Sequence, residues 1–297
     1  MRVTQSMLSN NMLRNLTHSN TQMNKYMEQL YSGKKISKPS DDPMIAMKGV
    51  SYRSELARIN QFERNTSEVN SWLDNTDAAM DQTNQAMQRL KELAVKASNG
   101  TNSDDEYQSI VEEAKQLKEH LVDIANTNVN GRYIFNGTNS DTPPVAVDEN
   151  GEITTDFNKE DVLIEVSSGI TVKANTDGSS VFGENGDLFE TVDNFIKRLE
   201  KKEDVEGDIE DSIGELDASI GGILDSRAEI GARMNRVELV ENRLADQKIV
   251  TTKTLSDKED VDFAEAITNL ITQESLHRAA LSAGSRIIQP SLVDFLR

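Results

Sequence analysis

The chain has 297 residues, 36% hydrophobic and only 5% aromatic, with five prolines and no cysteine. So few aromatics over this length read as long helices packed side by side rather than a compact enzyme core, and the lack of Cys excludes disulfides, thiol chemistry and Cys-based metal sites. The formal net charge is −19, with 23 Asp and Glu against six Lys and Arg in residues 141–225, so neither nucleic acid nor anionic lipid is an expected partner.

Residues 10–31 read as a helix. Leu16, Met23 and Leu30 recur at seven-residue spacing, and Leu13 and Met27 form an adjoining stripe that Asn20 interrupts. The segment Ser32-Gly33-Lys34-Lys35 breaks it, and the break continues through Lys38-Pro39-Ser40-Asp41-Asp42-Pro43. Asp42 is a good N-cap and Pro43 suits the first helical position, where its missing N–H costs nothing. From Met44 to Ser98 there is no Pro, and Gly49 is the sole Gly. Two stripes run through this stretch: Ile59, Thr66, Leu73, Met80, Met87, Ala94, and Phe62, Val69, Thr76, Thr83, Leu90, Ala97. They predict one helix of about 55 residues, ~80 Å long. Thr, Met and Ala at so many inward positions call for several partner helices.

Ser103-Asp104-Asp105-Glu106 is a capping box for a third helix with the stripe Ile110, Ala114, Leu117, Leu121, Ile124, Asn128. The period then changes to alternation. Arg132–Phe135 predicts a short strand, with Asn136-Gly137 as a hairpin turn. Val145–Val147 and Ile153–Thr155, joined by Asp148-Glu149-Asn150-Gly151, predict a hairpin. So do Val162, Ile164, Val166 and Ile170, Val172, Ala174 around Ser168-Gly169. Helix returns near Asp187. From residue 209 a long stripe runs Ile209, Leu216, Ile223, Ile230, Val237, Leu244, with Ile213, Ile220 and Met234 beside it. Gly214, Gly221, Gly222 and Gly231 interrupt this helix; close helix approach or a kink would account for them. A last helix starts near Asp262, carries Phe263, Ile267, Leu270 and Ile271, and ends before Pro290. An apolar tail follows at Leu292, Phe295 and Leu296.

The fold class predicted is mainly α: a long antiparallel helical rod or bundle, coiled-coil-like terminal helices and a small β-rich insert. Its parts are an N-terminal assembly helix and loop (1–43), the first half of the rod (44–137), the insert as a separate unit (138–182), the second half of the rod (183–255) and a C-terminal assembly helix (256–297).

No catalytic constellation emerges. The three histidines, His18, His120 and His277, lie far apart in sequence, and no zinc-protease, nucleophile-elbow, phosphate-loop or dinucleotide motif occurs. Asp148–Gly151 fails as a calcium loop because Ala146 stands where an acid is needed, and the Asn136-Gly137-Thr138 sequon is explained by the turn. The methionines read as adaptable helix packing. No enzyme activity, metal or cofactor is expected. No apolar run is long enough to span a membrane, and Met1–Met7 lacks the apolar core of a secretory signal. The terminal stripes are the candidate functional residues: Leu13, Leu16, Met23, Met27 and Leu30 at one end, and Phe263, Ile267, Leu270, Ile271, Leu292, Phe295 and Leu296 at the other. They are expected to mediate assembly, because short interrupted helices of this sort are marginal alone.

Leu30-Tyr31-Ser32-Gly33-Lys34-Lys35-Ile36 with Asp41-Asp42 resembles the N-terminal signature of flagellins and flagellin-like axial proteins. The form Lys38–Pro43, the segment Gly131-Arg132-Tyr133-Ile134-Phe135-Asn136-Gly137-Thr138, the segment Gly231-Ala232-Arg233-Met234-Asn235 and the ending Ser291–Arg297 are similar to the hook–filament junction family, hook-associated protein 3. The likeness covers roughly residues 1–140 and 210–297 and leaves the insert unmatched. It implies a structural flagellar subunit, exported unfolded through the flagellar type III apparatus and held beforehand by a cytosolic chaperone. Its implied partners are other copies of itself, another hook-associated junction protein, and flagellin, which assembles on it outside the cell. Filament flagellin itself, or a cytosolic coiled-coil signalling module, are the alternative readings.

Overall fold

The computed structural model describes residues 5–99, 103–148, 152–183, 187–200 and 208–288. Among the described residues, seven helices and six short strands follow in the order α1 (Gln5–Ser32), α2 (Pro43–Ser98), α3 (Asp104–Ala125), β1 (Asn128–Val129), β2 (Arg132–Tyr133), β3 (Val145–Val147), β4 (Ile153–Thr155), β5 (Leu163–Ser167), β6 (Ile170–Lys173), α4 (Gly178–Phe182), α5 (Asp187–Leu199), α6 (Ile209–Glu259) and α7 (Phe263–Ile288). The fold is mainly α, and the strands form three separate antiparallel pairs, β1–β2, β3–β4 and β5–β6. The chain divides into two compact units: residues up to 58 together with those from 247 onward, and residues 59–246.

The helix starts follow from local chemistry. The Asp42 carboxylate accepts the backbone N–H groups of Met44 and Ile45, both at 3.0 Å, at the head of α2. At α3 the Ser103 N–H donates to Glu106 Oε2 at 2.8 Å, and this bond holds the Glu106 carboxyl below its ordinary range. Asp262 accepts from Ala264 and Glu265 at 2.9 and 3.2 Å to open α7. Each cap satisfies N–H groups that the helix itself leaves without partners.

Within 59–246, α2 and α6 pack antiparallel. Asn70 meets Glu241, Arg227 bridges Asp77 and Asp81, and Lys91 reaches Asp217, so the residue number on one helix falls as that on the other rises. Helix α3 returns along α2 in the same sense, with Arg89 on Glu113 and the Tyr107 hydroxyl on the Ala97 carbonyl at 2.9 Å. Helix α5 closes on α3 through Lys118–Asp193 at 2.6 Å and Lys115–Glu200 at 2.8 Å. The predicted stripes form the core. Ile59, Leu73, Met80, Met87, Leu90 and Ala94 of α2, Ile110, Ala114, Leu121 and Ile124 of α3, and Leu216, Ile223, Ile230, Val237 and Leu244 of α6 are all buried. The threonines in the α2 stripe bond their own helix: Thr66, Thr76 and Thr83 donate to the carbonyls of Phe62, Trp72 and Ala79 at 2.8, 2.8 and 2.9 Å. Their hydroxyls therefore enter an apolar seam without the cost of an unmade hydrogen bond.

The strand region differs in detail from the sequence expectation. Helix α3 ends at Ala125, so Asn128 is not part of its stripe but pairs with Tyr133 in the β1–β2 hairpin. The turn of that hairpin is Asn130-Gly131, with φ of 56° and 83°, and not Asn136-Gly137. A two-residue hairpin turn of this hand needs positive φ at both positions. Beyond Tyr133 the strand stops: Ile134 and Phe135 turn into the core, and Asn136 uses its side chain on the Thr142 carbonyl and the Asn158 N–H, both at 2.9 Å. The β3–β4 and β5–β6 hairpins form where alternation places them, the latter around Gly169 at φ 72°; Glu149–Gly151 of the β3–β4 connection lie outside the described residues.

Residues 138–182 carry Val145, Val166, Val172, Ala174 and Phe182 into the same hydrophobic core as the helices. Phe182 is the hub, edge-on to Phe135 at 5.3 Å and stacked with Phe157 and Phe189 at 5.9 and 5.6 Å. A Cβ at Gly178 would lie 2.2 Å from Phe157, so this stack needs the bare backbone there. No sequence periodicity pointed to these four rings.

Candidate assembly surface

In the unit that joins the two chain ends, α1 and α7 run antiparallel. Gln273 donates to Ser19 Oγ at 3.0 Å, and Met12 packs so closely over Gly284 that a Cβ there would lie 1.3 Å from its terminal carbon. Among the residues of α1 that lose solvent are Met12, Leu16, Ser19, Met23, Tyr26 and Leu30; among those of α7 are Ala266, Leu270, Gln273, His277, Ala280 and Gly284. Both series follow the helical three- and four-residue spacing that makes one ridge. The α7 ridge is small or polar at most positions, which permits the close approach at Gly284.

A second set of large apolar side chains points away. Leu13, Met27, Phe263, Ile267 and Ile271 are exposed, by 59%, 55%, 54%, 46% and 57%. Of the residues predicted to form the assembly surface, Leu16, Met23, Leu30 and Leu270 are thus half-buried within the α1–α7 pair, and these five stand free. Leu292, Phe295 and Leu296 lie outside the described residues. Sequence reading missed Met44, Met47 and Val50, which line one exposed face at the start of α2, and Leu276 and Leu281 on α7. The three- and six-residue spacing of Met44, Met47 and Val50 carries a signal, but the two methionines read as adaptable helix packing. The contrast with residues 59–246 is sharp: among the described residues every buried hydrophobic except Ala266 belongs to 59–246.

At the base of this unit the loop after α1 pairs with the turn before α7. Gly33, at φ 69°, ends α1 by donating to the Gln29 carbonyl at 2.8 Å. Lys35 N–H donates to the Glu259 carbonyl at 2.6 Å and Val261 N–H to the Gly33 carbonyl at 2.9 Å. The Lys34 ammonium lies 2.6 Å from Asp260 Oδ1. That hydrogen bond raises Lys34 above its ordinary value and, with the Ser256 hydroxyl, holds Asp260 below its own.

Among the described residues no group of three or more His, Asp or Glu is placed to hold a metal ion, and no helix is long and apolar enough to cross a membrane.

Residues 3–140 match the family model for the bacterial flagellin N-terminal helical region, and residues 213–296 match that for the flagellin C-terminal helical region. The chain belongs to the flagellin-like axial proteins. It is 29% identical over 303 residues to flagellar hook-associated protein 3 of Escherichia coli (strain K12), with 94% of each chain covered. The corresponding protein of Salmonella typhimurium is 24% identical, covering 94% of this chain and 95% of that one. Phase 1 flagellin of Salmonella naestved is 32% identical but over 149 residues, 50% of this chain and 30% of the flagellin. Hook-associated protein 3 from Legionella pneumophila shares the fold at TM-score 0.61 and 17% identity, over 69% of this chain and 97% of that one. FlgL from Bacillus cereus does so at TM-score 0.59 and 24% identity, over 69% and 99%. The chain is a structural component of the bacterial flagellum, and its relatives are structural proteins, not enzymes.

Proposed function

We propose that the chain is a subunit of the hook–filament junction, built into it through the outward faces of α1 and α7, and that it presents the surface on which flagellin assembles. The observation that carries this reading is the second set of large apolar side chains, Leu13, Met27, Phe263, Ile267 and Ile271, that the terminal pair leaves exposed while Leu16, Met23, Leu30 and Leu270 are half-buried within it. Two helices alone cannot cover such faces. Covering one Leu-sized side chain is worth about 1.5–3 kcal/mol, so several together offset the cost of holding two helices in one place. Copies of the chain, another hook-associated junction protein and flagellin are the partners that supply the cover. The near-complete correspondence with hook-associated protein 3, against half-chain correspondence with flagellin, favours the junction over the filament itself. Residues 1–43 and 256–297 are the assembly segments, and those between form the body. The subunit leaves the cell through the flagellar type III apparatus and is held by a chaperone in the cytosol until then.

The test places one charge on each outer face, as Leu13→Asp and Ile267→Asp. Neither side chain supports the fold, so purified variants should melt within about 0.5 kcal/mol of the parent. Both should be secreted, and cells carrying either should bear hooks without filaments. Normal filaments from both variants, with the proteins present in the culture medium, would remove the basis for the reading.

A further inference from the structure

The β1–β2 turn and the nearby core each hold an Asn-Gly pair, and the fold treats the two in opposite ways. Asn130 and Gly131 form the turn at positive φ, and both are exposed. A Cβ at Gly131 would meet nothing within 4 Å. Asn136 is 1% exposed. Its Nδ2 donates to the Thr142 carbonyl and its Oδ1 accepts from the Asn158 N–H, both at 2.9 Å. Gly137 is walled in as well: a Cβ there would lie 2.4 Å from the Asn158 carbonyl oxygen. Three further Asn-Gly pairs, at 99, 150 and 185, include residues outside the described ones.

An asparagine followed by glycine carries its own nucleophile. The backbone nitrogen of the glycine attacks the side-chain amide carbon and closes a five-membered ring, and glycine has no Cβ to obstruct the approach. The attack is intramolecular, so no second molecule has to be positioned. The new bond joins that nitrogen to Cγ, the Cγ–Nδ2 bond breaks, and the amide leaves as ammonia with the proton of the glycine N–H. Water then opens the ring at one carbonyl or the other, leaving Asp or isoaspartate, in which the main chain runs through the side-chain carbon.

We propose that Asn130 is a modification site of the folded protein, converted by its own backbone and water to Asp and isoaspartate, and that the buried amide bonds of Asn136 shield the second pair from the same reaction. The Asn130 amide meets solvent on a turn. Rotating the Asn136 amide breaks two interior hydrogen bonds, and the water that opens the ring is excluded, so reaction there waits for local opening. The product at 130 has consequences for its surroundings. Asn130, Arg132, Glu68 and Trp72 line one groove between the hairpin and α2. The new carboxylate competes with Glu68 for Arg132, whose guanidinium stands 3.7 Å from it. Isoaspartate also lengthens the main chain of a two-residue turn whose flanks pair as Val129–Arg132 and Asn128–Tyr133. Ile134 and Phe135 enter the core directly afterwards. Ammonia is lost, so the change accumulates in each copy with time.

The experiment ages the full-length folded protein in mildly alkaline buffer and maps its tryptic peptides by mass spectrometry. Cleavage after Arg132 parts the two pairs, and fragment ions place each change. Asn130 should gain one mass unit at least about tenfold faster than Asn136, which reacts only on opening. In urea the two rates should come within about twofold, because the shield is gone. Asn130→Gly keeps a turn of positive φ without the reactive amide, and its peptide should gain no mass over the same period. The site is overturned if Asn130 stays unconverted while the urea-unfolded chain reacts, or if Asn136 reacts as fast or faster in the folded protein. A difference that persists in urea would overturn the shield, since local sequence would then set the rates. Aged protein, separated by its added negative charge, should exchange the β1–β2 amides several-fold faster than fresh protein. Equal exchange would overturn the effect on the hairpin.

Discussion

Single residues in this chain divide into those that shut water out and those that hold charge in place. Leu73 is wholly buried in the α2–α3–α6 core. Leu73→Asp puts a carboxylate where no partner waits and should cost more than about 4 kcal/mol. Urea unfolding of the variant reads this directly, and a midpoint equal to the parent's would show that the seam admits water. The Lys34–Asp260 pair behaves differently, because both side chains are partly exposed. Asp260 titrates below its ordinary 3.8 and Lys34 above its ordinary 10.5. A lowered carboxylate stabilises the folded state above its unfolded value and loses that contribution as pH falls through the folded one. A raised ammonium loses its contribution as pH rises through its folded value. The pair is therefore intact across the neutral range and fails only at the extremes. An NMR titration of the Asp260 carboxyl carbon should give a midpoint below 3.8, and one at or above it would mean that the pair does not form in solution.

At the scale of elements, α6 runs unbroken through Gly214, Gly221, Gly222 and Gly231, and a Cβ at any of them would meet nothing within 4 Å. Close helix approach is therefore not the reason for these glycines. Gly221→Ala and Gly222→Ala should each raise stability by about 0.4–1 kcal/mol, by narrowing the freedom of the unfolded chain; a lower melting temperature in either would count against an open helix surface there. The long helices were legible in the sequence because heptad stripes and caps at Asp42, Ser103 and Asp262 are local signals. The β1–β2 turn was not, because the chain contains Asn-Gly at both 130–131 and 136–137. Only backbone angles and the remote bonds of the Asn136 side chain separate the two. The Phe135–Phe157–Phe182–Phe189 cluster joins residues with no common period, so it belongs to tertiary structure alone. At the candidate surface the stripes fall on α1 and α7. Which residues of each stripe face outward was decided by Gly284 and Ser19, whose small size lets α1 and α7 meet on that side.

For the whole molecule, two opposed tendencies are carried on separate stretches of chain. Acidic residues crowd 141–225, and apolar side chains stand exposed on both terminal helices. In colloidal terms the subunit carries one stretch that repels its copies and others that adhere to them. Repulsion between like charges fades beyond a Debye length of about 10 Å at 0.1 M salt, whereas attraction between apolar faces survives added salt. Self-association should therefore set in at a threshold concentration, and raising sodium chloride from about 0.05 to about 0.5 M should lower that threshold as the screening length contracts. Light scattering against protein concentration measures it, and a threshold that rises with salt would point to charge pairing as the adhesive. A pool of such subunits keeps itself dispersed by its own charge, and a growing end that supplies apolar cover can draw from it without the pool condensing first.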